Sequence, residues 1–211
     1  MSVVRTATCA SALVPDISFD ERLLRIARTC GHTPAAERAV ARFSWLGEHA
    51  GVWLVLGAAE SVLSKGEKRA RWGRATAMVA GVYALNTALK LIVRRARPEP
   101  ADLPPLTSTP TRSSFPSAHS STSFAAAFAY RRAGLPGGPL YALAGGLALS
   151  RLYLGVHYPS DVVAGALLGT AIAMTCGPGN GAGGREPEPP FADAPFAEPP
   201  LAGAPDVEVP L

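Results

Sequence analysis

His119 and His157 are the residues of this chain best suited to covalent chemistry. Near neutral pH an imidazole supplies either a lone-pair nucleophile or a proton donor. His157 stands in "HYPSD" (157–161), four residues ahead of Asp161. Pro159 suits the start of a helix, which puts Asp161 in the first turn with its carboxylate able to point back at the ring. Such a hydrogen bond fixes the tautomer and leaves the other nitrogen free to attack or to take a proton. His119 stands in "FPSAHS" (115–120), where Pro116 and Ser117 open another helix. The first amides of a helix are unpaired, and with a hydroxyl beside them they form a ready anion site. Taken alone, His119 reads as a capping or packing residue sooner than as a catalyst.

The cations nearby sharpen this reading. Lys90 and Arg97 are seven residues apart, on one helical stripe two turns long, with Arg94 between them and Pro98 as the stop. A basic cuff at a membrane surface would account for Arg94, Arg95 and Arg97. It accounts less well for Lys90 and Arg151, which have apolar residues on both sides. Lysine and arginine match a phosphate's charge and geometry, and two histidines beside them point to phosphoryl transfer. No acidic cluster of metal-ligand type accompanies them, so the site is expected to need neither metal nor other cofactor. Arg94, Arg95 and Arg112 read equally as a second phosphate subsite and as surface charge.

These groups need elements to position them, and composition says which kind. Of the 211 residues 48% are hydrophobic and 17% charged, below the roughly 25% charged of soluble domains. The expected fold is an all-α, integral-membrane helical bundle of about five spanning helices. Its apolar segments are 45–64, 75–93, 117–130, 138–154 and 161–176. The third and fifth are short of the ~20 residues needed to cross hydrocarbon and depend on flanking residues or tilt. Their Ala, Gly and Ser content allows close helix contact. Ahead of them, residues 20–42 suit two amphipathic interfacial helices, broken at Cys30-Gly31 and restarted by Thr33 and Pro34. The domains are thus 1–44, an N-terminal lead with interfacial helices; 45–176, the membrane domain; and 177–211, a Pro-, Gly- and acid-rich tail expected to be disordered.

Charge distribution suggests the topology. The connection "KGEKRARWGR" (65–74) carries five basic residues and one acid, the mark of a cytoplasmic loop. Alternation then puts Lys90, Arg97, Ser117, His119, Arg151, His157 and Asp161 together at the opposite, outer face of the plasma membrane. The basic residues flank apolar segments instead of forming a stripe with interleaved aromatics, so no nucleic acid partner is expected. Cys9, Cys30 and Cys176 have neither metal spacing nor an even count and read as three unpaired thiols. The first sixteen residues make a poor signal peptide, interrupted by Arg5 and stopped by Pro15-Asp16. The Arg-over-Lys, Ala-, Gly- and Pro-rich composition fits a high-GC bacterial genome.

Lys90, six residues, Arg97-Pro98; Pro116-Ser117-Ala118-His119; Ser150-Arg151, five residues, His157, three residues, Asp161: this order resembles the three-part signature of the type 2 phosphatidic acid phosphatase superfamily. The resemblance implies that His157 attacks phosphorus, forming a phosphohistidine, and that Asp161 orients it. It implies that His119 protonates the leaving group and later helps water hydrolyse the intermediate. Lys90, Arg97, Arg151, Ser117 and the Ala118 amide would hold the phosphoryl oxygens. Two departures stand out. Ala118 occupies a position where the family usually has glycine, which keeps the N–H but gives up easy access to positive φ. Two apolar segments precede Lys90 where the family often has three.

The expected function is hydrolysis of a lipid phosphate in the bilayer, with a polyprenyl phosphate or diphosphate, or a related isoprenoid carrier of cell-envelope synthesis, as substrate. Phosphoribosylated polyprenyl phosphates are among these by analogy. The alternatives are a phosphatidate-type phospholipid phosphatase, a membrane protein that only binds lipid head groups, and a vanadate-dependent peroxidase.

Overall fold

A computed structural model of the chain describes residues 18–177. The expected lead before residue 18 and the expected tail from residue 178 lie outside the described residues. Within that range the protein is all-α, as expected, with seven α-helices and no strand among the described residues. One isolated bridge pairs Ala96 with Ser113.

The two amphipathic helices form where capping chemistry puts them. In α1 (Phe19–Thr29) the Ser18 hydroxyl accepts from the Glu21 amide, Asp20 and Glu21 occupy the first turn, and Arg28 the last, each charge favoured by the helix dipole. In α2 (Pro34–Trp45) Thr33 caps the Ala36 amide and Pro34 opens the helix. These helices do more than lie on an interface. Helix α1 packs on the last two helices of the chain, with Leu24 and Arg28 buried. Arg28 donates to the Pro104 carbonyl at 2.7 Å.

The first apolar segment is not one span. Helix α2 ends at Trp45, a 3₁₀ turn covers Glu48–Ala50, and α3 runs only over Gly51–Leu63. His49 and Ala50 both hold positive φ (52° and 59°), a conformation that costs an L-residue energy and is tolerated where packing dictates it. The expected span 45–64 is therefore corrected to a bend followed by a helix of 13 residues. Helix α4 (Gly66–Val93) also differs, because it begins within the basic connection 65–74. At 1.5 Å per residue its 28 residues reach ~42 Å, so it outruns a ~30 Å hydrocarbon layer and carries its basic end beyond it.

Helix α5 (Ala118–Ala133) is the axis of the bundle, packed against α4, α6 (Gly137–Tyr153) and α7 (Pro159–Cys176). Eleven of its residues are buried, all Ala, Ser or Thr apart from His119 and Tyr130. Glycines of α7 let the two backbones touch: a Cβ on Gly165 would stand 2.6 Å from the Ser117 carbonyl oxygen. Such small-residue contacts are how helices associate where lipid offers no hydrophobic drive. Helices α4 and α7 are each long and apolar enough to cross a bilayer. Val55, Val62, Leu63, Ile92, Leu149, Val163, Leu167 and Met174 project outward, between 58% and 79% exposed, which gives the bundle a lipid-facing surface. Cys176 is free. Cys30 is disulfide-bonded, which corrects the reading of three unpaired thiols.

Candidate active site

The C-termini of α4 and α6 and the N-termini of α5 and α7 lie at one end of the bundle, and their polar residues converge there. Lys90, in the last turn of α4, is buried and donates to the Ser113 carbonyl at 3.3 Å. One turn earlier, buried Asn86 donates to the Pro116 carbonyl and to the Ser121 hydroxyl, at 3.3 and 3.0 Å. It ties α4 to the segment that starts α5. The helical stripe expected to carry Lys90, Arg94 and Arg97 is corrected, because α4 ends at Val93 and Arg94 turns the chain at φ 50°. Arg97 lies in the loop beyond and donates from Nε to the Thr111 carbonyl and from Nη1 to the Val156 carbonyl.

His157 is 2% exposed, in the loop between α6 and α7. Its Nε2 lies 3.2 Å from Arg97 Nη1. A guanidinium can only donate, so Nε2 carries the lone pair and the ring proton belongs on Nδ1. That nitrogen faces Asp161 Oδ2 at 3.6 Å and has no closer partner. Burial pushes the His157 imidazole down to about 3; Asp161 opposes the shift, while the charges of Arg97, Lys90 and Arg151 add to it. The free protein therefore holds this ring neutral.

Asp161 is fully buried, and both oxygens are engaged. Oδ2 accepts from the Tyr158 amide at 2.8 Å, closing the N-terminal turn of α7, and Oδ1 accepts from Arg95 at 2.8 Å. Arg95 is thereby committed to carboxylates, leaving Arg94 and Arg112 of the trio considered for a second phosphate. Those two line an outer pocket of about 860 Å³ beside Lys90 and Arg97.

At the head of α5, the Ser117 amide donates to the Asp161 carbonyl at 3.1 Å. The Ser117 hydroxyl is buried without a partner. Ala118 opens the helix without positive φ, so alanine is accommodated where glycine is usual. His119 is 5% exposed, and its Nε2 is 3.0 Å from the Ser44 carbonyl. Arg151, 4% exposed in the last turn of α6, donates to the Ser44 hydroxyl at 2.7 Å and keeps Nε unpartnered.

Lys90, Arg97, Ala118, His119, Arg151 and His157 line one cavity of about 80 Å³, room for one phosphoryl group but not for a whole head group. Asp161 stands behind His157, and Ser117 behind the head of α5. Among the described residues no group of three His, Cys, Asp or Glu side chains could hold a metal ion. Four residues at or behind the cavity have partners that the sequence did not show. Ser44 is in the last turn of α2 and Gly47 in the bend after it, where a Cβ on Gly47 would stand 2.7 Å from His119 Cδ2. Glu48 comes within 4.0 Å of His119. Its signal was present, as an acid interrupting an apolar segment. Arg95 was visible but its partner was not.

An apolar groove of about 760 Å³ walled by Trp45, Leu46, Val52, Val55, Leu56 and Ala59 lies beside the cavity, with Glu48 and His49 lining both.

A sequence model described as the PAP2 superfamily matches residues 71–177, which hold every cationic and histidine wall residue named above except His49. The chain belongs to the PAP2 superfamily. Within that superfamily it is 38% identical over 147 residues to the decaprenylphosphoryl-5-phosphoribose phosphatase of Mycolicibacterium smegmatis, covering 69% of this chain and 80% of that protein. The protein of the same name from Mycobacterium tuberculosis is 40% identical over 130 residues, covering 61% and 72%. Among solved PAP2-like folds, LpxE of Aquifex aeolicus superposes with a TM-score of 0.62 at 23% identity, over 78% of this chain and 98% of that one. A transmembrane PAP2-type phosphatidylglycerolphosphate phosphatase from Bacillus subtilis gives 0.57 at 23% identity, over 74% and 82%.

Proposed function

We propose that this PAP2-superfamily lipid phosphate phosphatase removes the terminal phosphate of a phosphoribosylated polyprenyl phosphate at the outer face of the plasma membrane. The observation that carries the reading is a cationic, histidine-lined cavity of about 80 Å³ beside an apolar groove of about 760 Å³, with Glu48 and His49 lining both. One phosphoryl group fits the first and an isoprenoid chain suits the second. The names of the two mycobacterial relatives support the sugar-linked substrate. Glu48 supports it too, because a carboxylate lining both the cavity and the groove can accept hydrogen bonds from sugar hydroxyls.

In this reading the His157 Nε2 lone pair attacks phosphorus as the bond from phosphorus to the ester oxygen breaks. His119 gives its proton to the departing alkoxide. Lys90, Arg97 and Arg151 hold the phosphoryl oxygens, together with the Ser117 hydroxyl and the Ala118 amide. Water then attacks the phosphohistidine, His119 takes its proton, the P–N bond breaks, and inorganic phosphate leaves. Asp161 stabilises the imidazolium character that His157 gains as its lone pair is used. Charge stabilisation in a site shielded from water is the larger contribution.

The outer orientation rests on the basic start of α4, at the end of the bundle opposite the site. The disulfide of Cys30 agrees with an oxidising compartment on the site's side.

The test is phosphate release in detergent from decaprenylphosphoryl-5-phosphoribose, a polyprenyl diphosphate, a phosphatidate and a phosphatidylglycerophosphate. The sugar-linked substrate is expected to have the highest kcat/KM, and His157→Ala to abolish turnover. Preference for phosphatidate would overturn the substrate, and an active His157→Ala the mechanism. Phosphate-free binding of all four lipids would favour a head-group-binding protein.

A further inference from the structure

Asp161 is held from behind by a chain of charges that leads out of the membrane domain. Arg95 donates through Nη1 to Asp161 Oδ1 at 2.8 Å and to the Ser160 hydroxyl at 2.7 Å. Through Nη2 it donates to Asp20 of α1 at 2.8 Å. Asp20 in turn accepts from the Ser160 amide at 2.9 Å and is bonded to the Ser160 hydroxyl. The Arg95 guanidinium also lies over the Tyr158 ring, 4.3 Å from its centre. Asp20 and Arg95 are thus linked 75 residues apart, and both meet the first turn of α7.

We propose that Asp20 and Arg95 are positioning residues for the nucleophile, acting through Asp161, so that α1 is a working part of the active site. The proposal rests on the reading that His157 attacks and Asp161 orients it. Asp161 has two oxygens and three claims on them: the Tyr158 amide, the His157 ring and Arg95. Arg95 holds Oδ1, which turns Oδ2 toward His157 Nδ1. Alone, Arg95 would be a long side chain free to swing away. Asp20 fixes its second nitrogen, and Ser160 closes the ring of bonds.

The clamp also sets how strongly Asp161 favours a charged imidazole. The titratable and charged groups around His157 are Lys90 from α4, Arg97 from the loop after it, His119 from α5, Arg151 from α6, Asp161 from α7 and Glu48 from the bend before α3. Removing Arg95 takes away the cation that partly neutralises Asp161. The uncompensated carboxylate then favours protonation of His157, and the acid limb of activity moves to higher pH.

The experiment is a double-mutant cycle of Asp20→Asn and Arg95→Gln on the full chain in detergent, with His157→Ala as reference. Arg95→Gln is expected to lower kcat about 10- to 100-fold, as loss of an outer-shell orienting partner does at metal sites. KM should change less than 3-fold by the same reasoning, because Arg95 does not touch substrate. Its acid limb should shift upward in pH. Asp20→Asn should lower kcat less, and the double variant should match Arg95→Gln alone, the signature of residues acting as one unit. Arg95→Lys should restore only part of the rate, since one ammonium cannot span Asp20, Ser160 and Asp161. Size-exclusion elution as wild type identifies variants that fold, and Asp20→Asn, at the surface of α1, still tests the link if Arg95→Gln does not. An unchanged kcat and acid limb in folded Arg95→Gln or Asp20→Asn, or strictly additive effects, would overturn the clamp. An active His157→Ala would instead overturn the mechanism beneath it.

Discussion

His119 and Arg151 meet on a single residue. Ser44 accepts from His119 Nε2 at its carbonyl, at 3.0 Å, and from Arg151 at its hydroxyl, at 2.7 Å. The last turn of α2 therefore fixes two groups that come from different helices of the bundle, α5 and α6. The two bonds differ in kind, because one uses the backbone and survives any side-chain change. Ser44→Ala should spare His119 and loosen Arg151. The expected effect is a fall in kcat/KM of about 5- to 30-fold, the equivalent of ~1–2 kcal/mol for a hydrogen bond to a charged group. Steady-state kinetics would show it, and an unchanged kcat/KM would contradict it.

Burial keeps His157 neutral, with its pKa pushed down to about 3. The unfolded ring titrates near 6.5, so between these values the unfolded chain binds the proton that the folded one refuses. Stability therefore falls as pH drops from about 6.5 toward 3 and is restored as pH rises, the sign expected for a buried neutral base. NMR of imidazole-labelled protein should show no titration of His157 between pH 8 and 5. A His157 midpoint near 6.5 would contradict the buried, Arg97-facing ring.

The site was largely legible because its motif residues sit at short, fixed spacings on helix ends. Ser117 to His119 and His157 to Asp161 each lie within about one turn at a helix start, where sequence spacing carries over into space. Lys90 and Arg97 do not share a helical stripe, because α4 ends at Val93 and Arg94 turns the chain at φ 50°. The start of α2 at Thr33 and Pro34 was legible for the same reason as the two histidine motifs. The bend at Leu46–Ala50 was not. His49 and Ala50 adopt positive φ although neither is a residue that favours it, so tertiary packing of Gly47 and Ala50 against α5 and α6 dictates the break. The Asp20–Arg95 link joins positions too distant in sequence for any local pattern to reveal.

Gly47 tests whether that bend serves the site. A Cβ there would stand 2.7 Å from His119 Cδ2 and 3.3 Å from Leu147 Cδ2, and no real Cβ tolerates the first distance. Gly47→Ala must displace the His119 ring or the bend itself. If His119 is the general acid, kcat should drop by roughly 10²-fold, toward the 10²–10⁴-fold of losing acid–base help altogether. His119→Ala gives the reference value. Wild-type kinetics in Gly47→Ala would remove His119 from the mechanism.

The cavity brings Lys90, Arg97 and Arg151 together, and among the described residues no set of metal-ligating side chains accompanies them. Charge neutralisation is then the work of Lys90, Arg97 and Arg151. Activity in excess EDTA should equal activity in Mg²⁺, measured as phosphate release from the same substrate. A requirement for added Mg²⁺ would show that the cations alone do not suffice.

The apolar groove makes a prediction that separates tail from head group. Val55 is 70% exposed and faces the groove, with Val52, Leu56 and Ala59 beside it. None of these side chains reaches the phosphoryl cavity. Ala59→Trp, toward the far end from Glu48, fills the volume an isoprenoid chain would occupy without altering charge. It should raise KM for a decaprenyl substrate and leave a water-soluble phosphoribose ester unchanged. Each buried methylene is worth ~0.8 kcal/mol, so displacing three or four from the groove is expected to raise KM by about 50- to 200-fold. The comparison uses one variant, two substrates and one assay for released phosphate. Equal effects on both substrates would mean that the substitution disturbs the bend at Glu48–Ala50, and no effect on either would leave the isoprenoid chain outside the groove.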